Sequence, residues 1–444
     1  MASYPDGNLR IAIIGGGPGG LATAIALSAL PNVEVNLYEK AHELREIGAG
    51  LNIGYNSWRV LEILGADSNI NGHLITEVQQ RNGLDGTLVA KRGPSTLPLK
   101  YQSRRARRTR LQRALLDQVP VDIIHLRKEL TSIENVPEGG AHLGFSDGSE
   151  AFADLVVGAD GIRSVVRQTA FPEHNIKFSG ITIWRTLVPR SLLAHIPDIP
   201  TCTSWWHGPS GHAYFSPVDD PSRTEPEDEM IEISSRTIVD PETDKTRRWS
   251  WGVPTTNEHV ESHFTNFDPR VREALAKVPK GNWKEFSAFS GPRLQELTAW
   301  DKLVLIGDAS HPLTGAFGSG AAFAMEDGWI LARSLEFIFP SLQGEKGSSI
   351  STHDGIKKAL AIFDSIRSPY YARMYEYLDN VSAKAKARGS TFEARLKSRV
   401  EAFSEGGLDW IYLNDIERVW NDWLENMDST RREKTNNVRI ESNL

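Results

Sequence analysis

The apolar residues of this chain fall into three patterns, and each marks a different kind of element. Short saturated runs occur at Ile11-Ala-Ile-Ile14, Leu155-Val-Val157 and Leu303-Val-Leu-Ile306. Runs of this kind suit strands covered on both faces. The first leads into an Ala/Leu-rich helix over 21–30 and a second strand over 33–38, the third into a helix over 321–337. A further helix is predicted around Trp58 to Leu64. Strands are expected over 121–126, 130–136 and 141–146, with Asp147-Gly148 as a hairpin turn. Between 176 and 290 the pattern changes to strands with few helices, over 181–189, 202–208, 212–218, 230–239 and 246–252. From His353 onward the spacing is helical and amphipathic. The fold class expected is α/β: a discontinuous Rossmann-like domain over 1–175 and 291–365, an inserted, mostly antiparallel β-sheet domain over 176–290, and a C-terminal helical segment over 366–444.

Composition narrows the class without changing this plan. A chain of 444 residues with 40% hydrophobic and 24% charged residues is an ordinary globular balance. The net charge of −7 argues against nucleic acid as a partner. Cys202 is the single cysteine, so neither a disulfide framework nor a cysteine metal cluster is expected, and no metal site is assigned. No apolar run reaches the roughly 18 residues that span a bilayer, and the polar N-terminus runs straight into the first strand. These features lead to the expectation of a cytoplasmic protein, monomeric or homodimeric, with no membrane partner.

Chemistry enters at the strand ends. Gly15, Gly17 and Gly20 form G-x-G-x-x-G between the first strand and its helix, and Glu39 closes the second strand. In such a unit one glycine makes the turn, one lets the backbone approach a pyrophosphate and one allows close packing. The helix N-terminus faces the phosphates, and the acid accepts from a ribose diol. The unit alone leaves open which dinucleotide binds. Gly158-Ala-Asp-Gly161 places Asp160 beside Arg163 and Arg167, and Gly307-Asp308 repeats the strand–turn pattern, followed by Gly315, Gly318 and Gly320. Six arginines crowd positions 104–113 without a chemical reason to choose among them. In the inserted segment Arg185 stands among Trp184, Trp205, Trp206, His207, His212 and Tyr214. A guanidinium buried there needs an anionic partner.

The three Gly/Asp-rich strand ends together resemble the single-component, FAD-dependent aromatic hydroxylases, the class of 4-hydroxybenzoate and salicylate hydroxylases, with fungal members closest in character. The resemblance spans residues 8–370. It implies FAD as cofactor, NADH or NADPH as a transient co-substrate, and a small phenolic substrate with O2. It assigns Gly15, Gly17, Gly20 and Glu39 to the ADP half of FAD. Arg45, Gly48 and Ala49 fall in the stretch near the flavin and pyrophosphate. Arg108 becomes the FAD-contacting arginine of the basic run, Asp160 a residue linked to FAD and NAD(P)H, and Asp308 the ligand of the ribityl chain. Gly318, Gly320 and Ala321 frame the loop facing the flavin N1–C2=O edge. The sequence departs from the family at Gly315, where a proline is usual after His311-Pro312. Oxygen transfer through a flavin C4a-hydroperoxide to the ring is implied, most simply decarboxylating hydroxylation of a hydroxybenzoate. Ring or dearomatising hydroxylation of another phenol is the alternative. An NAD-dependent dehydrogenase and a non-catalytic flavin-binding protein are the rivals from other classes. Arg185 is the first candidate for the phenolate or carboxylate. His207 and Tyr214 follow as catalytic candidates, and Trp206 and Gly315 complete the expected substrate contacts.

Overall fold

The computed structural model describes residues 8–44, 49–137, 139–240, 251–313, 315, 317–339, 350–387, 391–404 and 407–441. A six-stranded sheet carries the saturated runs. Its order is Thr298–Ala299, Leu303–Leu305, Leu155–Gly158, Leu9–Ile14, Val33–Glu39, Ile124–Leu126, parallel except for the short first strand. Ile11 stands opposite both Leu155 and Val35, and all three are buried because helices or a second small sheet cover each face. The helices Pro18–Ser28 and Gly320–Ile338 lie against each other through small residues. A Cβ on Gly19 would come within 2.8 Å of the Ala324 Cβ. A Cβ on Gly328 would come within 2.9 Å of the Thr23 backbone.

The inserted sheet has eight strands in the order Trp251–Pro254, Lys284–Ser290, Lys177–Pro189, Met230–Ile238, Gly211–Pro217, Thr203–His207, Val78–Asn82, Leu88–Arg92. Its last two strands come from the segment that sequence assigned wholly to the first domain. Val78-Gln-Gln-Arg-Asn82 has no apolar alternation, since Gln80 and Arg81 are buried through polar contacts, so nothing marked it as a sheet strand. The strand expected over 246–252 is described only from Trp251, and residues 241–250 lie outside the described residues.

Each strand of this sheet has two distinct faces. Trp184 and Val188 point to one, joining Trp206, Phe215, Ile231 and Ile233 in a core closed by Phe264, Val271 and Leu275. Arg185 and Leu187 alternate to the other face, which looks toward the nucleotide-binding domain. A small antiparallel sheet, with Arg104–Arg107 between Gly50–Ile53 and Gly72–Leu74, brings the basic run up to that second face. The C-terminal helices Thr352–Ala387, Phe392–Ser404 and Ile416–Glu441 pack outside. Arg367 on the first of them, buried, pairs with Asp327 and Glu326. Among the described residues no helix is long and apolar enough to cross a membrane.

Candidate active site

The first strand ends in Gly15, whose φ of +108° favours glycine, and a Cβ there would overlap the Ala159 carbonyl oxygen. Gly20 packs on the Gly15 carbonyl with no room for a side chain. Gly17, by contrast, has nothing within 4 Å of where its Cβ would stand, and it caps the Pro18–Ser28 helix. The turn is therefore closed on its protein side and open where the free N–H groups of the helix point. Glu39 reaches across from the neighbouring strand, accepting from the Gly16 N–H at 2.7 Å and the Ala41 N–H at 2.8 Å. A carboxylate has capacity for further donors beyond these.

The next strand end is held by Asp160. Its Oδ2 accepts from the Val165 and Val166 N–H groups at 2.7 and 3.2 Å, while Oδ1 is buried without a partner. Burial pushes its pKa up, and the hydrogen bonds from Ser164 and the backbone pull it back. Arg167, which the sequence placed beside Asp160 but left out of the site, turns out to join two of the loops. Its guanidinium, 1% exposed with its residue, donates to Ile162 O at 2.6 Å and Ala309 O at 2.8 Å. A buried guanidinium bonded to carbonyl oxygens of two loops fixes their spacing. Only the i, i+7 separation from Asp160 hinted at this, and it did not distinguish Arg167 from a surface residue.

At the third strand end, Gly307 donates its N–H to Asp327 at 2.9 Å, and Asp308 follows it in the same short turn. The residue is exposed, yet its carboxyl is closely surrounded by protein. Burial pushes its carboxyl pKa up, and Arg108 and Arg167 pull it down. Helix Gly320–Ile338 begins beside it, with a Cβ on Gly320 standing 4.0 Å from Asp308 Oδ1. Ser319, at the helix cap, has its Oγ buried and unpartnered. Gly318 has a φ of +65° and open space beside it, and Ala321 follows in the first turn, half-buried. Gly315 has a φ of +72°, a conformation proline's ring forbids. A proline could not take this position on the backbone observed here. Arg45 and Gly48 lie outside the described residues. Ala49 is buried, and its carbonyl accepts from the Arg108 N–H at 2.9 Å.

The inserted sheet presents Arg185 on the face that looks toward the nucleotide-binding domain. Its Nε is buried without a hydrogen-bond partner, and the guanidinium stands 5.8 Å from the Phe286 ring centroid. Burial pushes its pKa down to about 10; Glu232 opposes this, and Arg108 and Arg105 add to it. Arg108 therefore acts on both Asp308 and Arg185. Glu232 is 0% exposed and bonded by Arg105, Nε to Oε2 at 2.8 Å, with its other oxygen unpartnered. Tyr214 lies in register with Ser234, itself opposite Arg185, and its ring is 5.1 Å from the Arg105 guanidinium. Burial raises the Tyr214 pKa, while Arg105 and the hydroxyl groups of Ser216 and Thr203 act against the rise.

Two candidates take different places. Trp206 lies on the opposite face, 0% exposed, its ring between Arg81 and Arg270; strand alternation makes it a core residue and removes it from the substrate contacts. His207 is on the correct face, but both ring nitrogens are engaged. Nε2 lies 2.6 Å from Gln80 Oε1, and Arg399 approaches Nδ1 at 3.3 Å. Burial pushes its pKa down to about 3, so it is a neutral positioning residue with no free nitrogen for acid–base work.

Residues 8–349 match the family model described as an FAD binding domain. The chain is 30% identical over 384 residues to the FAD-dependent monooxygenase sor5 of Hypocrea jecorina, covering 82% of both chains. It belongs to the FAD-dependent aromatic monooxygenases. The 6-methylsalicylate 1-monooxygenase atA of Aspergillus terreus is 27% identical, covering 92% of this chain and 90% of that one. The 3-hydroxybenzoate 6-hydroxylase of Klebsiella oxytoca is 26% identical, with coverage of 91% and 96%. Among solved structures, a salicylate hydroxylase substrate complex superposes with a TM-score of 0.70 at 21% identity, covering 93% of this chain and 97% of that one. CtdE in complex with FAD and substrate gives 0.77 at 16%, with coverage of 96% and 100%. At these identities the two structures speak to the fold of the monooxygenase. The residues present fit FAD: an open glycine turn at one helix N-terminus, an orphaned Asp160 oxygen, and Asp308 beside a second helix N-terminus.

Proposed function

We propose that this monooxygenase hydroxylates a small phenol that carries a carboxylate, a hydroxybenzoate in the simplest case. The hydroxyl enters at the carboxyl-bearing ring carbon, and CO2 is lost. The observation that carries this reading is the charge balance on the substrate face. Arg185 is enclosed there beside Arg105, and Glu232, the carboxylate that acts on it, is already held by Arg105. Arg185 keeps an unpartnered donor, and a carboxylate or phenolate answers both its charge and that donor. The names of the relatives, acting on salicylates and hydroxybenzoates, support the same class.

FAD, when bound, supplies the oxygen-transfer chemistry, using electrons from NADH or NADPH. Gly15, Gly17, Gly20 and Glu39 would hold its adenosine half, Asp160 and Arg108 would flank its centre, and Asp308 would take the ribityl hydroxyls. The helix N-terminus at Gly320 and Ala321 would face the ring and favour negative charge on it. Arg185 orients the substrate and lowers the pKa of its phenol, which makes the ring electron-rich at the carbon to be attacked. Tyr214, bonded to its neighbours, serves as a wall and supports Arg105. The Phe286 and Tyr214 rings line the sheet side and keep water away.

The test is a panel of hydroxybenzoates and alkylphenols with the FAD-loaded protein, following NAD(P)H oxidation, O2 uptake and CO2 release together. Carboxylated phenols should turn over with one CO2 per O2. Turnover without CO2 would replace decarboxylation by ring or dearomatising hydroxylation. Turnover restricted to uncarboxylated phenols would remove the role given to Arg185.

A further inference from the structure

One row along from Arg185, the same sheet face carries a second group of cations. Arg236 is the direct cross-strand partner of Ile183 on one side and of His212 on the other, and His212 is the partner of His207. The strand direction puts this row about 7 Å from the row of Arg185 and Tyr214. The helix Phe392–Ser404 covers it from the C-terminal segment. Arg399 approaches His207 Nδ1 at 3.3 Å, and Arg395 donates to Pro209 O at 3.2 Å. The Gln80 carbonyl oxygen accepts from His207 Nε2–H, so Nδ1 carries the lone pair and accepts from Arg399, which fixes that guanidinium over the row. Trp205 forms the floor, its ring centroid 4.8 Å from His212 and 4.6 Å from Tyr214, and so joins the two rows.

The charges acting on this group are all of one sign. Burial, and Arg399 after it, push the pKa of Arg236 down to about 10, and burial with Arg395 lowers that of Arg399. Among the described residues no carboxylate pairs with Arg236, Arg395 or Arg399. Guanidinium groups gathered without a counter-ion are costly unless an anion answers them, and Arg399 is exposed, so an anion can reach them.

We propose that Arg236, His212, Arg395 and Arg399 form a second anion subsite, which receives a carboxylate at the far end of the aromatic substrate. This rests on the reading of Arg185 as the anchor for the ring acid. A benzoate with a single carboxylate fills the Arg185 position and leaves the second row unmet. A substrate that fills both has a ring acid at one end and a second carboxylate on a side chain or further ring. The C-terminal helix then acts as part of the specificity pocket.

The test compares two ligands with FAD-loaded protein by calorimetry. One is 2-hydroxybenzoate, the other a 2-hydroxybenzoate bearing a carboxyethyl chain para to its carboxylate. The two-ended ligand should bind at least about 10-fold tighter. Arg236→Gln and Arg399→Gln should each abolish that preference, while Lys397→Gln, on the exposed side of the same helix, retains it. Equal affinity of both ligands for the unaltered protein overturns the subsite. So does a response of Arg399→Gln confined to the KM for NADH or NADPH, which would assign the row to a nucleotide phosphate. Binding of neither ligand overturns the aromatic-acid reading together with the subsite.

Discussion

A guanidinium enclosed by protein needs a counter-charge, and at Arg185 the nearest carboxylate, Glu232, is already bonded to Arg105. Replacing Arg185 with alanine should therefore weaken binding of carboxylated phenols by about 10- to 100-fold, the worth of a charged hydrogen bond. FAD content should be unchanged, because no strand-end loop depends on it. Titration of substrate with the variant, with flavin absorbance as the control, decides this. His207 allows a prediction of pH dependence. Its folded pKa of about 3 lies below the ordinary 6.5, so the unfolded chain takes up a proton that the folded one refuses. Stability is then complete above pH 6.5 and falls as pH drops toward 3. From pH 7 to pH 5 one such group costs about 2 kcal/mol. His207→Gln should lose less stability over that interval than the parent in urea unfolding; an identical loss would mean that His207 is protonated in the folded protein. At this scale the sequence was informative where a residue's chemistry was unusual for its setting, as for an arginine among aromatics. It could not assign faces in Trp205-Trp206-His207, because alternation is read from contrast and adjacent tryptophans provide none. Arg167 escaped for a different reason, since its partners are backbone carbonyls that no side-chain pattern announces.

The two helices that start at the glycine turns are held together by small residues, and this contact sets where their N-termini point. Glycine inside a helix ordinarily costs about 1 kcal/mol against alanine, so Gly328→Ala would stabilise an isolated helix. Here the added Cβ would lie 2.9 Å from the Thr23 backbone, inside van der Waals contact, and the partner is another helix rather than a flexible side chain. Overpacking of this sort costs about 1–3 kcal/mol and should win. Gly328→Ala is expected to lower the melting temperature and to reduce FAD retention on gel filtration. A rise in melting temperature would show that the helices can separate without penalty. The elements themselves were largely legible, because saturated runs and glycine turns are local signals. The helix over 321–337 is observed as Gly320–Ile338. The strand Val78–Asn82 was not, since its buried face is polar and its sheet partner, Thr203–His207, is far along the chain.

For the molecule as a whole, the groups that fit FAD come from widely separated parts of one sheet, whereas the inserted sheet has a core of its own around Trp184, Trp206 and Trp283. The discontinuous plan was readable from the return of a saturated strand at Leu303. The contact of a C-terminal helix with the inserted sheet was not, because Arg399 meets His207 only through tertiary packing. This division has a thermodynamic consequence. A ligand bound only to the folded form stabilises whatever unit must unfold to release it, by about 2.7 kcal/mol at 100 times its Kd. Removing FAD should therefore destabilise the nucleotide-binding domain, with its strand-end loops, more than the inserted sheet. Differential scanning calorimetry of apo and FAD-loaded protein should show this as one transition moving up with FAD concentration. A second, from the inserted sheet, should stay nearly in place. The Arg105–Glu232 pair and the shared Val78–Arg92 strands resist this separation, since they tie the two domains covalently and electrostatically. If those ties dominate, both signals will shift together by the same amount, and the inserted sheet must then be counted as part of a single cooperative unit with the FAD site.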